Sequence, residues 1–140
     1  MRSKTLLVLI PVSRINYSIA RAEVRNEHLV DPAFAWAEVG SVLRQKVRQG
    51  LLAPEQAREL WIKFGQMPIE FIDSPALRAR ACEIAEGCAL PTLYDAAHLA
   101  CTELTPAPGT VVREFWTADQ ELLRSLGTTR PPYVRHLVKS

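Results

Sequence analysis

Residues 69–75, Ile69-Glu70-Phe71-Ile72-Asp73-Ser74-Pro75, set a short apolar run directly against a helix start. Ile69–Ile72 reads as a strand. Asp73 and Ser74 supply capping oxygens, and Pro75 suits a first turn, where its missing N–H costs nothing; the helix predicted from this start lasts to Gly87. The same alternation recurs on either side. Leu6–Ile10 is an unbroken apolar run with β-branched members, predicting a strand buried on both faces. Asp31-Pro32 predicts a helix capped by Asp31 that runs to about Gln49 and stops at Gly50, with Trp36, Val39, Leu43 and Val47 on its apolar stripe and Val42 beside it. Pro54 opens a helix over Glu55–Phe64, and Thr92 caps one over Leu93–Leu104. A strand over Thr110–Trp116, a short helix over Asp119–Leu126 closed by Gly127, and a last strand over Tyr133–Leu137 complete the series. Residues 14–29 leave the local reading open, with a short helix over Ile19–Arg25 as one solution. Strands alternating with helices predict parallel pairing and an α/β fold, a three-layer α/β/α sandwich around a parallel sheet. Sites in such sheets gather outside the carboxyl ends of the strands, where Asp119 falls directly.

A chain of 140 residues with no repeat or linker is read as a single domain over 1–140, long enough to bury a substantial core. Its hydrophobic content of 48% with 23% charge argues against disorder. A net charge of +2 permits a nucleic-acid partner without indicating one. Arg44, Lys46 and Arg48 cluster on one predicted helix and Arg78 and Arg80 on another, and a solvated helix face accounts for both groups. Cys82, Cys88 and Cys101 form no Cys-x-x-Cys pair, which suits buried thiols in a reducing cytoplasm and gives no zinc site. His28, His98 and His136 are scattered without metal-ligand spacing. Arg2 and Lys4 ahead of the apolar run Leu6–Ile10 imitate a secretory leader, but Pro11 interrupts the run and Ser18-Ile19-Ala20 is a poor cleavage site, so a buried strand is the better reading. No segment is long enough to span a membrane.

Three acids sit within or against apolar runs: Glu38 in Phe34-Ala-Trp-Ala-Glu-Val-Gly40, Asp95 in Leu93-Tyr-Asp-Ala-Ala-His-Leu-Ala100, and Asp119 in Phe115-Trp-Thr-Ala-Asp-Gln-Glu-Leu-Leu123. An ionised carboxylate in such a place needs hydrogen bonds, a cation or a metal. Acids that a fold brings together repel, and a hard divalent cation is the common remedy. Each acid also has a plainer explanation. Thr92-x-x-Asp95 and Thr117-x-x-Gln120 have the spacing of capping boxes, and acids in first turns are favoured by the helix dipole. Glu38 has no basic residue at helical spacing, and a surface glutamate stays open for it.

Taken in order, these three segments resemble the successive motifs of PIN domains, and more narrowly of VapC-type ribonuclease toxins, over about His28–Leu137, with residues 1–27 atypical. The resemblance implies a PIN-like fold and a metal-dependent endoribonuclease of a toxin–antitoxin pair. In that pattern Glu38, Asp95 and Asp119 are the metal-site acids around Mg²⁺ or Mn²⁺, and Thr117 is the supporting hydroxyl. The family implies RNA as substrate, a cognate antitoxin and a homodimer as partners, and a cytoplasmic location. Bound Mg²⁺ would activate water and stabilise developing negative charge, with Arg44 and Arg48 available to contact phosphate.

One family feature is missing. An aspartate ordinarily follows the first strand, with Ser or Thr two residues on. Here Pro11 stands in its place and Ser13 in the hydroxyl place, and the first acid anywhere in the chain is Glu23. Proline offers no side-chain oxygen. Three explanations stand: an altered gene start or frame upstream of residue 28, a degenerate PIN-like module that binds protein partners without cutting RNA, or another residue replacing the lost ligand. The expected outcome is a nuclease scaffold with an impaired site.

Overall fold

The computed structural model describes residues 5–8, 28–105, 112–117 and 119–136. The expectations for residues 9–27, including Pro11, Ser13, Glu23 and the short helix, lie outside the described residues, as do residues 110–111 and 137. The strands are β1 (Thr5–Val8), β2 (His28–Pro32), β3 (Ile69–Ile72), β4 (Val112–Thr117) and β5 (Val134–His136). The helices are α1 (Ala35–Arg48), α2 (Pro54–Gln66), α3 (Pro75–Gly87), α4 (Leu93–Leu104) and α5 (Gln120–Leu126), with a 3₁₀ turn over Gly127–Thr129.

The described residues form a mixed α/β fold of five helices with two small parallel strand pairs, β2–β3 and β4–β5. This is less than the single broad sheet expected from the alternation. Each pair is short, with four residues in β3 and three in β5. Only the four-residue β1 lies between the pairs, parallel to both, with Leu7 opposite Leu29 and Glu114, giving the order β3-β2-β1-β4-β5. The direction of chain reverses its march across the strands between β1 and β4, the place where open parallel sheets form a crevice.

Neighbouring residues of β2 enter separate apolar clusters, as period-two alternation requires. Val30 joins Leu77, Ile84, Leu99, Leu126 and Val134, drawn largely from α3, α4 and α5. Leu29 joins Val39, Leu43, Phe64 and Met67 from α1 and α2 and the turn after it. Strand β4 divides likewise, Phe115 to the first cluster and Trp116 to the second. Strand β2 therefore packs apolar residues on both sides at Leu29 and Val30, as β4 does at Phe115 and Trp116.

Helix boundaries follow local chemistry. Ser74 accepts from the Leu77 amide at 3.1 Å, and Pro75 occupies the first turn of α3, as the opening stretch predicts. Gly50 takes φ +73° just past α1, a left-handed conformation that stops the helix cheaply only without a Cβ. Gly40 serves differently: a Cβ there would stand 3.1 Å from the Trp61 ring, so its absence lets α2 lie close against α1.

Three local expectations are corrected. Asp31 is not a helix cap; it is the fourth residue of β2, and α1 begins three residues beyond Pro32 with Phe34 at the cap and no side-chain bond. The Leu29-Val30 pair commits this segment to the strand before a helix can start. Trp36 is 56% exposed and Val42 38%, so the buried stripe of α1 narrows to Ala35, Val39 and Leu43. Thr92 stands at the cap position of α4, but its hydroxyl makes no capping bond.

Helix α4 is fastened at its far end by Glu103. Its carboxylate accepts from Arg80 Nε at 2.8 Å and from the Tyr133 hydroxyl at 2.5 Å, while its carbonyl accepts from Arg113. Burial first, and then the bond to Glu103, push the Tyr133 phenol well above its ordinary range, so the hydroxyl stays protonated as a donor. We expect Tyr133→Phe to lower stability by about 1–2 kcal/mol, because the half-buried carboxylate loses a donor that water replaces poorly. Urea unfolding followed by far-UV circular dichroism measures the change, and an unaltered midpoint counts against the assignment. Arg80→Gln should cost less, since that arginine is 40% exposed and solvent screens its ion pair.

Candidate functional site

The carboxyl ends of β2 and β4 point the same way because both strands run parallel to β1. The segments that leave these two ends therefore arrive at one edge. From β2 come Asp31, within the strand, and Glu38, in the first turn of α1. After β4 comes Asp119, and α4 brings Asp95 and His98 one turn apart. The Asp95 carboxyl is raised above its ordinary value by burial first, then by the neighbouring Asp119 and Glu38 carboxylates, with His98 pulling it back. Asp95 is thus close enough to Asp119 and to Glu38 to feel both.

Their individual settings differ from expectation. Glu38 is not enclosed: its side chain is 38% exposed, and one carboxylate oxygen lies 3.0 Å from His98 Nε2. Asp119 is an exposed N-cap whose Oδ1 accepts from the Glu121 and Leu122 amides at 3.0 and 3.1 Å. Thr117 is buried, and its hydroxyl accepts from the Asp119 amide at 3.0 Å, which fixes the turn leading into α5. Asp95 gains no cap bond from the Thr92 hydroxyl. Its raised carboxyl runs against what a purely dipole-stabilised cap would give.

The deepest acid is one that sequence reasoning assigned to a cap. Asp31 is completely buried. Its Oδ1 lies 2.9 Å from His98 Nδ1, an ion-pair contact off the ideal hydrogen-bond line, and among the described residues its Oδ2 has no hydrogen-bond partner. Burial raises the Asp31 carboxyl, and the His98 ring beside it acts in the opposite direction. His98 itself experiences burial as a lowering influence, but Asp31 and Glu38 outweigh it and lift the ring to about 10. Geometry agrees: both ring nitrogens face carboxylate oxygens, and a bare lone pair on either would be repelled. The ring is walled by Phe34 at a centroid distance of 5.9 Å and Phe115 at 6.0 Å. The available signal was the apolar run His28-Leu29-Val30 ending in an acid, which has the form of a buried strand carrying a charge at its carboxyl end.

Proximity of acids is not yet a metal site. Among the described residues, no group of three or more His, Cys, Asp or Glu side chains is placed to hold a metal ion. The donor set explains this. Glu38 is drawn to His98, one Asp119 oxygen is committed to the helix cap, and Asp31 is sealed behind the imidazole. The residues present do not fit the Mg²⁺ or Mn²⁺ arrangement that the resemblance implies. A cysteine nucleophile is no better supported: Cys101 is fully buried and its thiol is pushed up to about 12, chiefly by burial and further by Asp31.

Arg44 and Arg48 line an open groove between α1 and α2, with Trp36, Arg58 and Trp61. Arg78 and Arg80, by contrast, are engaged with Asp73 and with Glu83 and Glu103.

The His98 bridge gives stability a definite pH dependence. Its folded-state value of about 10 exceeds the ordinary 6.5, so its contribution is fully present below pH 6.5 and is lost as pH rises toward 10. Urea unfolding at pH 6 and again near pH 9.5 should show the wild-type chain less stable at the higher pH, with the difference reduced in His98→Gln. Equal pH dependence in both proteins counts against a charged His98.

Scanned against models of known protein families, the chain matches none, and a search of curated proteins returns no match.

Proposed function

We propose that this chain is a VapC-like PIN scaffold: a metal-dependent endoribonuclease of a toxin–antitoxin pair, hydrolysing RNA phosphodiesters, whose site is impaired by loss of the acid after the first strand. The observation that carries this reading is the meeting of Glu38, Asp95 and Asp119 at one strand edge, from three motifs far apart in sequence. The order β3-β2-β1-β4-β5, with apolar clusters on both sides of β2, is compatible with the finer PIN-like description, an α/β/α sandwich around a parallel sheet. Thr117 supports the turn that carries Asp119, in keeping with the hydroxyl's role in the family pattern. RNA, a cognate antitoxin, a homodimeric state and a cytoplasmic location belong to the same proposal. Among the described residues, no helix is long and apolar enough to cross a membrane.

In the chain as it stands, these residues do not build a water-activating centre. A phosphodiester needs a strong nucleophile and charge stabilisation at its oxygens. Glu38 is occupied by an imidazole and no third donor completes the acid group among the described residues. A second reading rests on that observation: a catalytically inactive PIN-like module that keeps its helices for binding a protein partner. The open Trp36–Arg44–Trp61 groove is where such a module has surface to offer.

Cleavage of structured RNA with Mn²⁺, against an EDTA control, separates the two. The unmodified chain should cleave little or nothing. Pro11→Asp should raise metal-dependent cleavage at least about tenfold if an added carboxylate restores charge-assisted coordination. Adding Asp119→Asn to that variant should remove the gain. Strong cleavage by the unmodified chain, abolished by Asp119→Asn, would contradict impairment while supporting the enzyme class. No cleavage by any repaired variant favours the binding module.

A further inference from the structure

Asp31, Glu38 and Asp95 all interact electrostatically with His98, and Asp119 adds its charge to Asp95. Carboxylates gathered this way need a positive partner to coexist. The described residues give no three-donor group for a metal ion. They do give a ring whose Nδ1 is 2.9 Å from Asp31 and whose Nε2 is 3.0 Å from Glu38. Phe34 and Phe115 wall that ring, so its position is set by packing as well as by charge.

We propose that the His98 ring, set between Asp31 and Glu38 through its two nitrogens, withholds Glu38 from an added divalent cation. The proposal rests on Glu38 being a site acid, as in the functional reading above, and it reverses the usual expectation for a histidine beside a metal-site carboxylate. A histidine that merely orients a ligand improves metal binding, and its loss weakens the site. A ring that occupies the carboxylate competes instead. Removing it frees an oxygen of Glu38 for an incoming cation. Asp31 acts through His98: completely buried, it holds the ring from behind and cannot reach solvent.

The test is titration of the full chain with MnCl₂, reading free Mn²⁺ by its electron paramagnetic resonance signal, with no RNA present. His98→Asn should bind Mn²⁺ about tenfold or more tightly than the wild-type chain. Because that change strands a buried carboxylate, the double variant Asp31→Asn/His98→Asn is measured beside it; it removes the buried pair together and should show a comparable gain. Adding Glu38→Gln to either variant should cancel the gain. Unchanged or weaker Mn²⁺ binding in a cooperatively melting His98 variant overturns the proposal. Since the readout is binding in the absence of RNA, failure of the ribonuclease reading appears separately, as absent cleavage by a variant that does bind Mn²⁺.

Discussion

A carboxylate with no access to solvent must be compensated inside the protein or stay protonated, and Asp31 is that carboxylate. Its contact with His98 governs the arrangement around it. It ties β2 to α4, places the imidazole between Phe34 and Phe115, and turns the outer ring nitrogen toward Glu38 on α1. Strand β2, the helix α1 that follows it and the distant α4 thus share one charged contact. Breaking only one partner of such a pair is costly, since the other is left buried and alone. The interior at this point is therefore specified by charge as well as by shape.

The same contact changes the meaning of the acidic edge. Residues that look interchangeable as carboxylates have separate occupations: Asp31 is an internal anchor, Asp119 closes a helix start, Glu38 is half of a bridge, and Asp95 is the one raised by its acidic neighbours. Proximity set by strand topology creates the electrostatic problem; hydrogen-bond geometry decides how it is solved. An edge that gathers carboxylates can therefore coexist with a donor set that gives a metal ion no three-fold grip among the described residues.

Much of this architecture was legible from local chemistry. The strand and helix that meet at Asp73-Ser74-Pro75 follow from short-range rules, and Leu93–Leu104 is helical over the span its flanking breakers define. The nearness of Asp95 to Glu38 and to Asp119 follows from parallel strands, which deliver their following residues to one edge. The role of Asp31 was not, since Asp-Pro before an apolar helix is also a good cap signal and only pairing with β3 reveals it as strand. His98 was missed for a related reason: its partners lie 60 and more positions away, and no spacing rule connects them.

Gly40 carries a mechanical consequence. Its bare Cα admits the Trp61 ring on one side of α1, while Glu38, two residues earlier on the same helix, reaches His98 on another. One helix thus serves as a shared wall between an aromatic groove and a charged bridge. A side chain added at Gly40 would press on Trp61 and so push on the helix that carries Glu38. A 3.0 Å hydrogen bond survives only a displacement of about half an ångström before it falls outside bonding range. The absence of one methyl group therefore sets the tolerance to which the Glu38 bridge is held.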